Sequence, residues 1–139
     1  MKEKYNTIQR WIEKADHDLG TAEITYLNIP KFRDIITFHC QQAVEKYLKS
    51  YLLFLDIPLK RIHNLTFLLG LISKKENVAN EIYDKAAELE DFAVEIRYPD
   101  TIIELTDQDI ARAIQIAKEF CQYIMTKMDL DLEYEEIIK

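Results

Sequence analysis

Glycine and proline are scarce, with 2 Gly and 3 Pro in 139 residues. Many-stranded sheets use such residues at their hairpins, and dinucleotide folds need a glycine-rich phosphate loop, so both classes are disfavoured. Two cysteines and three histidines supply a soft transition-metal centre poorly, and no CxxC, HExxH, GxGxxG or GxxxxGK[ST] occurs. The ExxH pairs of a ferritin-like metal bundle are missing too. No uncharged apolar run approaches the ~20 residues needed to span a membrane, and MKEKYNTIQR lacks a signal-peptide core. The expectation is a cytoplasmic chain with no metal, no cofactor, and Cys40 and Cys121 reduced and buried.

What the chain has in quantity is apolar surface and charge. Hydrophobic residues make up 48% and aromatics 11%, enough for one core. The net charge of −7 and pI near 5.0 disfavour a globally basic nucleic-acid binder. The average conceals an asymmetry, because residues 1–75 carry 12 basic and 8 acidic groups whereas 76–139 carry 6 and 17. Either field could serve a partner.

Apolar spacing predicts helices throughout. Ile8, Trp11, Ile12, Ala15, Leu19, Ala22 and Tyr26 fall on one face of a helix over about 5–27. Gly20 inside it suggests a close helix approach. A second helix over about 32–55 is apolar on more than one face, as the central member of a bundle would be. NLTFLLGLI after His63 predicts a short third helix, and 77–97 a fourth with Val78, Ile82, Ala86, Leu89 and Phe92 inward. Thr106 with Asp109 reads as a shortened capping box opening a fifth. All three prolines, Pro30, Pro58 and Pro99, fall at these boundaries. The fold expected is all-α, an antiparallel up-and-down bundle of four long helices plus a short one, in one domain over 1–128. The acidic tail 129–139 reads equally as a partner-binding strand or a helix extension.

Within the second helix, His39, Gln42 and Lys46 line one side, since seven residues return a side chain to within about 20° of its starting direction. Lys49 lies near Lys46. This polar stripe reads as a receptor for a phosphate or an acidic partner, or as a structural histidine beside a solvated lysine face. Arg33 and His39 are unsuited to one phosphodiester, because six helical steps set them about 120° and ~9 Å apart. Arg97 reads as a carbonyl cap or a phosphate fork. His63 reads as a helix-start or packing group, or as a base, and His17 as part of a solvated face.

FHCQQAVEKYLKSYL over 38–52 resembles the HEPN-domain family. Trp11 with Ala15, Asp18-Leu19 and Ala22, then His63-Asn64-Leu65 with Leu68, Arg97-Tyr98-Pro99, and Ala113 with Ala117 agree in order and spacing across 8–126. The resemblance implies an antiparallel helical bundle, commonly a homodimer, active in nucleotide or RNA transactions. It also implies association with a small nucleotidyltransferase, in some pairs as toxin and antitoxin. Ribonuclease members carry an arginine followed four to six residues later by a histidine. Arg97 matches by location, but 101–107 reads TIIELTD and no histidine follows His63. The leading expectation is therefore a non-catalytic nucleotide- or partner-binding module with His39, Gln42, Lys46, Lys49 and Arg97 as anion ligands. The alternatives are a metal-independent endoribonuclease using Arg97 with His39 or His63 across a dimer, and a scaffolding helical dimer.

Overall fold

In a computed structural model, residues 2–93 and 104–129 are described. Five helices form among them: α1 (Lys2–Asn28), α2 (Arg33–Phe54), α3 (Leu65–Ser73), α4 (Asn80–Phe92) and α5 (Asp107–Lys127). The described residues contain no strand. Side-chain pairs between the helices give their directions. Lys4 meets Asp56, Asp16 meets Tyr47, and Asp18 meets His39, so position falls along α2 as it rises along α1. The pair is an antiparallel hairpin. Arg112 and Glu119 on α5 meet Glu88 and Lys85 on α4, while Lys118 meets Glu23 on α1 and Cys121 lies beside the Tyr47 hydroxyl that Asp16 of α1 binds, so α5 runs antiparallel to both. The four long helices thus go up, down, up and down, with α3 inserted between the second and third.

The core follows from the apolar spacing. Ile8, Ile12, Ala15, Leu19 and Ala22 make one buried stripe on α1. The inner face of α5 carries Ile110, Ala113, Ala117, Phe120 and Ile124. Between them α2 buries Ile36, Cys40, Ala43, Val44, Tyr47, Leu48 and Leu52, which lie on more than one face. Small residues at Ala15, Ala22, Cys40 and Ala43 let α1 and α2 approach closely, and Gly20 is buried on the same hairpin. Both cysteines are free and buried, and burial pushes the Cys121 thiol up to about 11. At neutral pH it stays protonated and unreactive.

The helix ends are chemically specified. Thr106 Oγ1 accepts from Asp109 N at 3.1 Å while Asp109 Oδ2 accepts from Thr106 N at 2.9 Å, completing the expected capping box. Asn64 caps α3 by accepting from Phe67 N at 2.8 Å. α2 closes on Asp56 in the left-handed region, φ 61°. Ile57 N donates to Leu52 O at 2.9 Å and Asp56 N to Leu53 O at 3.0 Å, the paired bonds of a Schellman end without its usual glycine. Against the expected start at 77, α4 begins at Asn80, because Ala79 is extended at ψ 147°. The expected extension of this helix over 94–97, its closure at Tyr98-Pro99, and the tail beyond Asp129 lie outside the described residues.

Leu48 is fully buried at the centre of α2. Leu48→Ala is expected to lower unfolding free energy by about 2–5 kcal/mol in urea titrations monitored by circular dichroism.

Candidate functional site: two carboxylate-centred clusters on the central helix

Polar side chains on a helix buried from several sides must find partners, because an unpaired charge there is costly. α2 solves this with two carboxylates. Asp18, from α1, accepts from His39 Nδ1 at 2.9 Å through one oxygen and from Lys46 Nζ through the other. Burial alone would raise the Asp18 carboxyl, but the hydrogen bonds from His39 and Lys46 outweigh it and hold the group below its ordinary value. Two residues earlier, Asp16 accepts from the Tyr47 hydroxyl at 2.5 Å. There burial dominates, and the Asp16 carboxyl is raised despite that bond.

The second cluster centres on Glu45. Its carboxylate is 5% exposed, and Oε2 accepts from both Lys49 Nζ at 2.9 Å and His63 Nδ1 at 3.0 Å. Its Oε1 is buried with no hydrogen-bond partner among the described residues. Lys49 is itself 9% exposed and lies 5.7 Å from the centre of the Trp11 ring, a cation–π contact that packs α1 against the ion pair. His63 differs from every other member, since its side chain is 68% exposed. It sits in the connection between α2 and α3, immediately before the Asn64 cap.

This geometry fixes the imidazole. A carboxylate oxygen only accepts, so a neutral His63 carries its proton on Nδ1 and leaves the lone pair of Nε2 free. An oriented base in reach of solvent is therefore present.

The residues predicted from sequence divide differently from the expected stripe. His39 and Lys46 do meet, through Asp18, whereas Lys49 turns to Glu45 and no hydrogen bond joins Gln42 to either cluster among the described residues. The lysines are paired with carboxylates, and Lys49 is buried where a solvated face was one reading. Arg33 donates to Leu105 O and Asp107 Oδ1, both at 2.7 Å, and so fastens α2 to the start of α5, away from His39. His17 is exposed beside Glu13. Arg97 lies outside the described residues. Sequence reasoning missed Asp18 and Glu45 as the organising groups. The Glu45–Lys49 spacing of four was a legible signal; the approach of Asp18 and His63 required the tertiary fold.

The Asp18 cluster has a pH signature. Its folded-state value lies below the unfolded one, so its contribution is present above the ordinary aspartate range near 3.9 and is lost as pH falls through the depressed value. Asp18→Asn is expected to lower stability at pH 7 by about 1–3 kcal/mol, the cost of leaving partly buried donors poorly paired. It is also expected to flatten the acid limb of a plot of stability against pH from 2 to 5. An unchanged limb would show that the cluster is not coupled to folding.

The HEPN-domain family model matches residues 8–128. An archaeal HEPN homologue of known structure is 26% identical, covers 86% of this chain and 96% of its own, and superposes with a TM-score of 0.69. The protein TT1696 from Thermus thermophilus, 23% identical over 88% of this chain and 98% of its own, shares the fold with a TM-score of 0.74. No curated protein matches. With the family model spanning five helices and both carboxylate clusters, the chain belongs to the HEPN-domain family.

Proposed function

We propose that the protein is a metal-independent endoribonuclease in which His63 is the proton-transfer group. The observation that carries this reading is an exposed imidazole held through Nδ1 by a buried carboxylate, with Nε2 free. In the reaction, the ribose 2′-oxygen attacks the adjacent phosphorus while Nε2 of His63 accepts the 2′-hydroxyl proton. The bond from phosphorus to the 5′-oxygen breaks, that oxygen takes a proton from water or from the imidazolium of a second copy, and a 2′,3′-cyclic phosphate remains. Glu45 stabilises the imidazolium as it forms. Arg97 is the phosphate ligand in this reading, assigned from its place in the sequence, and a homodimer is the form in which two copies of His63 share one strand.

A binding-only module resting on Lys46 and Lys49 has less support, since both ammonium groups are committed to carboxylates. Association with a small nucleotidyltransferase is compatible with either reading and is tested by co-purification.

The test is cleavage of an unstructured RNA in the presence of EDTA, with the product ends read by mass spectrometry. Cyclic phosphate ends are expected, with His63→Ala lowering the rate about 10²–10⁴-fold. Glu45→Gln is expected to lower it less, and Arg97→Ala to lower it as well. His39→Ala is expected to leave it unchanged. Cleavage that survives His63→Ala, or an absence of cleavage by the wild-type chain, would overturn the assignment.

A further inference from the structure

The net charge of the N-terminal half has a single source. Residues 1–56 carry eight groups of each sign, so the whole excess of four comes from 57–75, IPLKRIHNLTFLLGLISKK, which contains no acid. Lys60, Arg61, Lys74 and Lys75 are all exposed, and none makes an ion pair among the described residues. The acid just before this segment, Asp56, pairs with Lys4 at 2.8 Å and lies close enough to Lys75 to be stabilised by it as well. This is the reverse of the situation on α2, where Arg33, Lys46 and Lys49 are each paired with a carboxylate.

The same segment exposes an aromatic ring. α3 buries Leu65, Leu68, Leu69, Leu71 and Ile72 and turns Phe67 outward at 49% exposure. Steps of three and four put Phe67, Gly70 and Lys74 in one line along its outer face. A side chain added at Gly70 would meet nothing within 4 Å, so the floor between ring and ammonium is open. A groove of about 690 Å³ lies here, lined by Ile62, Asn64, Phe67, Gly70, Leu71 and Lys74. A second of about 330 Å³ is lined by Lys60 and Lys75 together with one carboxylate, Asp56, and shares Leu71 and Lys74 with the first. The two therefore adjoin as one trough, and His63 stands in the chain between Ile62 and Asn64, which line it.

We propose that this trough binds single-stranded RNA, Phe67 stacking an unpaired base while Lys60, Arg61, Lys74 and Lys75 hold the phosphates on either side and lead the strand past His63. An exposed aromatic ring among unpaired cations is the combination that grips a single strand, because each base offers a face and each phosphate a charge. A duplex hides its base faces and gives Phe67 nothing to stack on. The inference deepens the ribonuclease reading and rests on it for the identity of the nucleic acid, but it concerns residues that reading does not use.

Fluorescence anisotropy with a labelled 12-nucleotide uridine-rich RNA in EDTA tests it on the full chain. His63→Ala, which is expected to prevent cleavage, serves as the background. Binding is expected to favour the single strand over a matched duplex and to weaken about five- to a hundredfold in Phe67→Ala. Replacing the four cations by serine is expected to make the plot of log affinity against log salt shallower by about 0.7 for each phosphate no longer neutralised. Gly70→Leu, which favours the helix and keeps every charge, is expected to weaken binding by filling the floor. Thermal melts of each variant establish that it is folded. Binding with this pattern but no cleavage by the wild-type chain leaves the trough standing and removes the ribonuclease reading. Cleavage that depends on His63 yet is untouched by the trough variants removes the trough alone. Absence of RNA binding, with a poly-glutamate peptide bound in the same variant-sensitive way, overturns the proposal in favour of an acidic protein partner.

Discussion

The structure depends on how α2 carries charge through a packed interior. That helix touches α1, α3, α4 and α5, yet along one stretch it bears Glu45, Lys46 and Lys49 as well as His39. None of these can be buried alone. Asp18 reaches across from α1 to take His39 and Lys46, and Glu45 takes Lys49 and His63. Removing either carboxylate would leave cations stranded against apolar neighbours, at a cost larger than the net worth of the pairs. The ion pairs tie α1 and the α2–α3 connection to the central helix. They also hold both imidazoles through Nδ1, and exposure separates the two: the His39 side chain is 26% exposed and that of His63 68%.

The fold was legible because its determinants are local. Apolar residues at steps of three and four located the helices, and the prolines at 30 and 58 mark real breaks. Thr106 and Asp109 specify the start of α5 through bonds between residues three apart. The apolar positions of α2 on several faces correctly made it the central helix. The end of α2 falls where it was expected, just before Pro58, with Asp56 taking the left-handed geometry that glycine ordinarily supplies.

The candidate site was legible only by half. Helical geometry gave the angular positions of His39, Lys46 and Lys49, but not what the facing helix presents to them. Asp18 is 21 residues from His39 in sequence and 28 from Lys46, so a stripe that reads as basic on one helix is neutral once the hairpin closes. The accessible positive charge lies instead on 57–75, whose four cations are exposed and outnumber the one carboxylate, Asp56, that lines their groove. Buried matched charge on α2 and exposed unmatched charge on the α2–α3 connection and α3 are two outcomes of one rule, that a cation's environment is set by its nearest anion.

The central claim is that Glu45 holds His63 as the Nδ1–H tautomer with Nε2 unprotonated. ¹⁵N NMR of the imidazole nitrogens, recorded at a pH where the ring is neutral, measures this directly. A His63 pattern with the proton on Nδ1 is expected, reverting toward the Nε2–H form usual for a free histidine when Glu45 is replaced by glutamine. A His63 that carries its proton on Nε2 in the wild-type chain, or whose tautomer ignores the change at Glu45, would contradict it.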